Sequence, residues 1–295
     1  MYQNLLLICG LWFVSISWAN EVARYVLPKP ISGYYNAILA NKTDKVMVFA
    51  YQGRKYDKSI TIIDFPTLAE QGEMFNRAVV FLELNDPKQR KILNDGDLAQ
   101  FIQSIGQTPE TLAYGNNFTI SDLVVFFNYA NDDNIQLNAE ELALRQHLLT
   151  RRLIKFHDGF YQARFSEAIV LSIPQIDDVL GVDSVARSTI LSHEMSHGEY
   201  ATDSKYREFC RNFWHSVMTE QQRTAFRDFL KANDYNPNNE ELMINETQAY
   251  LMYTADSRAF SPEKVRLSPE EIADLRKKFI AGSPNLRQPP EYSAN

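Results

Sequence analysis

Along most of the chain apolar positions recur every three or four residues, the period of a helix with one buried face. Only a few short β-branched or aromatic runs interrupt it. Leu98, Phe101, Ile102 and Ile105 define a helix from Asp97 that Gly106 closes, and Ser121 to Tyr129 and Asn138 to Ile154 predict two more. The loop between those two, ANDDNIQLNAEE, is dense in Asn and Asp, but no register sets an acidic residue first, Gly sixth and Glu twelfth. It reads as a capped interhelical loop, not a calcium loop. Ser204 to Val217 lines up Tyr206, Phe209, Cys210, Phe213, Trp214 and Val217 on one stripe, which reads as core. Thr219 with Gln222 forms a capping box for a helix carrying Ala225, Phe226, Phe229 and Leu230. After the break at Tyr235-Asn236-Pro237-Asn238-Asn239 a helix restarts near Glu240, and Ser268-Pro269-Glu270-Glu271 opens a last one ended by Gly282.

The strand signals are fewer. Val46 to Tyr51 and Ser59 to Asp64 are β-branched and aromatic runs that predict a hairpin or two neighbouring strands. Ala78 to Leu84 extends that sheet or ends a helix begun near Thr67, because so short an apolar run fits either period. Glu167 to Ile173, stopped by Pro174, predicts a strand that either flanks a cleft or is sheet core. Residues 20–45, with Pro28, Pro30 and Gly33, predict an irregular lead-in. The expected fold is therefore α+β and mainly helical: an α+β region over 20–160, a largely helical region over 161–282, and a mobile Pro-rich tail over 283–295.

The first nineteen residues differ in kind. Leu5 to Trp18 is an almost uninterrupted apolar run, too short for a comfortable bilayer span, and leads into Ser17-Trp18-Ala19, with small residues, Ser17 and Ala19, at the two positions a signal peptidase reads. We expect a cleaved signal peptide at 1–19, no stable membrane span afterwards, and an exported protein, periplasmic or extracellular. Cys210 would then be the only cysteine left, so stability must come from the core and not from a disulfide. The sequons at Asn41, Asn117 and Asn245 favour a bacterial exterior over a glycosylating route, since a glycan on Asn245 would crowd the candidate ligand Glu246. At 45% hydrophobic and 23% charged the composition is that of a globular protein, and a net charge of −7 without a long basic run speaks against nucleic acid as a partner.

The chemistry concentrates at Ile190 to Tyr200, ILSHEMSHGEY. A helix capped by Asp183 or Ser184 and running from about Val185 to His197, with Gly198 as its stop, presents His193 and His197 one turn apart on one face. Two neutral imidazoles so placed can share a small cation. Glu194 directly after the first histidine completes HExxH, in which the histidines hold zinc and the glutamate takes a proton from the attacking water. Ile190, Leu191, Met195, Ser196 and Gly198 around them are uncharged, as suits a metal helix inside a protein.

Catalytic zinc needs a third protein ligand, and three residues are candidates: Glu246 on a downstream helix, Asp203 ten residues after His193, and His215. Asp203 stands at the spacing of the compact HExxHxxGxxD type, but Tyr200 occupies the glycine position where that type turns back, and Asp203 is also a natural helix cap. The helix of Glu246 is apolar almost all round, which argues against a surface charge.

From Val185 to about Arg258 the chain resembles the gluzincins, zinc metallopeptidases whose HExxH helix is completed by a glutamate within Asn-Glu-x-x-(Ser/Ala)-Asp. Asn245-Glu246-Thr247-Gln248-Ala249-Tyr250 matches except at the last position, where Tyr250 replaces the aspartate that fixes a ligand histidine. The resemblance implies a zincin-like core, zinc on His193, His197 and Glu246, Glu194 as general base, and a peptide or protein substrate. It leaves the task of hydrogen-bonding a ligand histidine to Tyr250 or to another group such as Asp256. Oxyanion stabilisation falls to Tyr250 or Tyr253, at i+4 and i+7 from Glu246, or to His215 or Arg258. The alternative from another class is a catalytically silent zincin-fold protein that binds a peptide or an envelope partner.

Overall fold

A computed structural model describes residues 25–26, 31–52, 59–84 and 91–284. The expected signal peptide at 1–19 and residues 285–295 of the expected tail lie outside the described residues. The fold is α+β and mainly helical, arranged around one mixed sheet.

The chain enters through a short strand β1 (Tyr25–Val26) and a helix α1 (Ile31–Ala40), where the sequence predicted an irregular lead-in. Strands β2 (Met47–Gln52) and β3 (Ser59–Phe65) pair antiparallel. Thr67 caps helix α2 (Leu68–Val79), and Val80–Leu84 continues it as a π-helical turn, so the ambiguous run after Ala78 is helix and not strand. Helix α3 (Asp95–Ser104), strand β4 (Asn116–Thr119) and helices α4 (Ile120–Asp132) and α5 (Ala139–Thr150) follow. The loop before α5 ends in a capping box between Asn138 and Glu141.

Helix α5 stops four residues before Ile154, which instead begins strand β5 (Ile154–His157) of a hairpin with β6 (Phe160–Ala163). Strand β7 (Ile169–Pro174) then returns to the large sheet, whose order is β1-β2-β3-β7-β4. β7 lies parallel to β3 and antiparallel to β4. It is therefore an interior strand, and the edge beside it is β4. A strand from beyond residue 160 between two strands from before it means that the boundary expected at 160 does not separate two sheets.

Both faces of the sheet are covered, which is why β3 and β7 are buried along their whole length. Ile63, Phe65 and Val170 face the aromatic core built with α2, α4 and α5, including Phe75, Phe126 and Phe127. Ile60, Ile62, Ile169, Leu171 and Ile173 face Leu191 and Met195 of helix α6 (Ser184–Thr202). α6 is thus hydrophobic toward the sheet and polar toward the other side, where α9 (Glu240–Tyr253) packs on it. Between them in sequence lie α7 (Ser204–Asn212), which continues as a π-helical turn over Phe213–Val217, and α8 (Glu220–Ala232). A short α10 (Pro262–Val265) and α11 (Pro269–Gly282) close a second, helical core around Trp214, Phe226, Met252 and Phe279.

The seat of α6 is fixed by a buried ion pair. Arg187 in its first turn donates from Nη1 and Nη2 to the two carboxylate oxygens of Asp64 on β3, both at 2.9 Å, and also to the carbonyls of Ile38 and Pro174. Asn41 and Gln175 donate to the same carboxylate at 2.8 Å each. Four bonds from the two terminal guanidinium nitrogens, and four to the carboxylate, make burial of both charges tolerable, although Nε of Arg187 has no partner among the described residues.

Candidate metal centre

α6 does not stop at Gly198, as the sequence suggested, but runs on to Thr202. The glycine answers to packing: a Cβ there would lie 2.9 Å from Cδ1 of Ile60, so its absence lets the helix sit close on β3. With the helix continuous through Tyr200, whose hydroxyl donates to Glu241 at 2.7 Å, the chain makes no turn back toward the histidines. Asp203 caps α7 instead, accepting from the amides of Lys205 and Tyr206. His215 is exposed on the π-helical turn of α7.

Glu246 of α9 is the residue brought to His193 and His197. The ligating atoms of the three side chains all lie within 4.8 Å of one another. Nε2 of His193 is 3.5 Å from Oε2 of Glu246, and Nε2 of His197 is 3.6 Å from Oε1. Nε2 of His197 and Oε2 of Glu246 are buried with no hydrogen-bond partner among the described residues.

The other ring nitrogens are engaged. Thr254, at the end of α9, donates its hydroxyl proton to the Ala249 carbonyl at 3.0 Å, so toward Nδ1 of His193 at 2.8 Å it can only accept. Nδ1 of His197 faces the carbonyl oxygen of the Asn245 side chain at 3.0 Å, and Gln248 donates to that same oxygen at 3.4 Å. Both histidines therefore carry their proton on Nδ1 and turn a bare Nε2 toward Glu246. Burial pushes both down to about 4, so they are neutral at ordinary pH. Burial holds the Glu246 carboxyl above its usual range. Two bare nitrogens and a carboxyl group converging on one point, with Nε2 of His197 and Oε2 of Glu246 unpartnered among the described residues, are the donor set of a cation site, and they fit a divalent metal.

Glu194 points to the opposite flank, toward the sheet edge. It accepts from Nδ2 of Asn117 on β4 at 3.2 Å, and burial, with Glu246 next, holds its carboxyl well above the usual range. Gly115 makes room for it: a Cβ there would lie 2.4 Å from Oε1 of Glu194. Tyr250 lies edge-on against the His193 ring, centroids 4.8 Å apart, and it is not the hydrogen-bond partner of a ligand histidine. That task belongs to Thr254 and Asn245. Burial, then the Glu246 charge, raises the Tyr250 phenol far above its usual range, so it stays a proton donor. Tyr235, from the loop before α9, meets Tyr250 edge to face, with ring centroids 6.5 Å apart, and adjoins Glu246. Tyr253, one turn further on, is fully buried in the helical core beside Tyr206. Arg258 pairs outward with Asp256 and Asp183, which also removes Asp256 as a partner for the histidines.

Beside the site opens a cleft of about 730 Å³, lined on one side by Glu83, Asn117, Phe118 and Thr119 and on the other by His197, Leu242 and Asn245. Gly115, Asn117, Tyr235 and Thr254 had no role in the sequence reading. Asn117 stands out there only as a sequon, and Thr254 and Tyr235 only as residues flanking a helix that carries a ligand. Comparison with protein-family models, with curated proteins and with solved structures finds no match.

Proposed function

We propose that the protein is a zinc-dependent peptidase of the gluzincin kind, with His193, His197 and Glu246 holding the metal and Glu194 acting as general base. The observation that carries this reading is the convergence of three ligating atoms within 4.8 Å, with both Nδ1 atoms hydrogen-bonded away from the centre. Zinc bound there would supply Lewis-acid polarisation of water and of a carbonyl. Glu194, raised by burial and aimed by Asn117, accepts the proton of the attacking water and returns it to the leaving amine. Tyr250, kept protonated and set edge-on against His193, donates a hydrogen bond to the oxyanion that develops on the attacked carbonyl.

Peptide is the substrate class that suits the cleft. Strand β4 is an edge strand, and Asn117, Phe118 and Thr119 line the cleft beside His197. An extended peptide can add to that edge through backbone hydrogen bonds. Export, expected from the N-terminal sequence, remains part of the proposal.

The test is Glu194→Gln against wild type, each loaded with zinc and assayed on a mixed peptide library. Glu194→Gln should retain the metal and lose about 10²- to 10⁴-fold in turnover. A zinc-loaded wild type that hydrolyses nothing would favour the silent binding protein, and unchanged hydrolysis in the variant would remove Glu194 from the mechanism.

A further inference from the structure

The β5–β6 hairpin stands apart from the site and from the charge balance of the chain. From Arg145 to Arg164 the sequence has five basic residues, Arg145, Arg151, Arg152, Lys155 and Arg164, against one carboxylate, Asp158, in a chain of net charge −7. Arg145 lies over the Tyr161 ring, but Arg151, Arg152, Lys155 and Arg164 make no ion pair with another described residue. Asp158 itself is engaged by His157 at 2.9 Å.

The tip is aromatic. Asp158 and Gly159 form the two-residue turn, both with positive φ, as a tight hairpin of this kind requires. On either side of it Phe156 is 54% exposed and Phe160 51% exposed. The cross-strand register puts Phe156 opposite Tyr161 and His157 opposite Phe160, so the two phenylalanines lie on opposite faces of the ribbon. The first face packs at its base, through Ile154, into the aromatic core. The second is solvent-facing from Lys155 to the tip and carries Phe160, Lys155 and, opposite the buried Leu153, the exposed Arg164.

Two exposed rings at the end of a ribbon, with cations behind them toward its base, match the layering of a membrane surface. Rings settle among headgroups and upper acyl chains, while Lys and Arg reach the phosphates. We propose that the β5–β6 hairpin docks the protein on an anionic lipid bilayer, the tip inserting Phe156 and Phe160 and the base meeting the headgroups through Arg152, Lys155 and Arg164. The proposal is independent of the catalytic reading. Rings at the tip of a ribbon distinguish it from a general polyanion site, which would use the cations alone.

The experiment is co-sedimentation of the full chain with vesicles of phosphatidylcholine alone and of phosphatidylcholine mixed with phosphatidylglycerol. Wild type should sediment only with the mixed vesicles, and less as salt is raised. Each of Arg152→Ser, Lys155→Ser and Arg164→Ser should weaken binding about fivefold. Phe156→Ser/Phe160→Ser should weaken it about tenfold or more while the protein stays folded with a melting temperature only a few degrees lower, since both rings are half exposed and Phe156 also packs on Tyr161. Phe160→Trp should shift its emission to the blue on the mixed vesicles. No sedimentation of wild type, or binding indifferent to the two phenylalanines, would overturn the proposal; in the second case heparin binding would identify a polyanion surface instead.

Discussion

At the scale of the residue, the least conspicuous position near the metal centre is among the most constrained. Gly115 is required by its neighbour and not by its backbone, because any Cβ would fall 2.4 Å from Oε1 and 2.9 Å from Cδ and Cγ of Glu194. A substituted side chain must push that carboxylate off its bond with Asn117, since the residue leads directly into the paired strand β4. Displacing a general base by about 1 Å costs about 10²-fold in rate. On the proposed peptidase reading, Gly115→Ala is therefore expected to keep its fold and to bind zinc as wild type does, while peptide hydrolysis falls by about that factor. Metal content and turnover measured on the same preparation decide it, and a fully active Gly115→Ala would show that Glu194 works from another rotamer.

At the scale of the element, the centre is an agreement between two helices. α6 supplies His193, Glu194 and His197, and α9 supplies Glu246 together with both groups that fix the histidine tautomers, Asn245 and Thr254. Thr254→Val keeps the shape of the side chain but removes the acceptor for Nδ1 of His193. It should weaken zinc binding about 10- to 100-fold, as loss of such partners commonly does. Competition with a chromogenic chelator measures this, and an unchanged affinity would show that the His193 tautomer is held elsewhere. The candidate cluster was legible in the sequence because a spacing of four on a helix is local geometry, and Glu246 because a carboxylate on a helix apolar almost all round needs a reason. The hydrogen-bond partners were not, since Thr254 meets His193 across 61 residues and Asn117 meets Glu194 across 77. The strand of Glu167 to Ile173 was legible as a strand, but the choice between cleft edge and sheet core stayed open, because pairing order is a property of the whole sheet. The β5–β6 hairpin did carry a local sign, Asp158-Gly159 between aromatic residues, which a helical reading of Asn138 to Ile154 ran past.

At the scale of the molecule, the burial that makes the centre also writes itself into acid stability. In the folded, metal-free protein His193 and His197 take a proton only near 4, whereas in the unfolded chain they do so near 6.5. As pH falls below 6.5 the unfolded chain thus gains protons that the fold refuses, and these two residues lower stability until about 4. Glu83, raised by burial to about 8, and Glu194 and Glu246, also raised, act in the other direction. They take up protons in the fold first, so acidification toward their ordinary range favours the folded state. Only a difference between two proteins isolates the histidine part. In chelator, wild type should lose stability relative to His193→Gln/His197→Gln as pH drops from 7 to 5, with a slope of at most about 2.7 kcal/mol per pH unit for two protons. Urea unfolding of both proteins at each pH gives that difference. A difference that does not change with pH would mean that the histidines are hydrated or protonated in the metal-free fold, and that α6 and α9 close on each other only when a cation joins them.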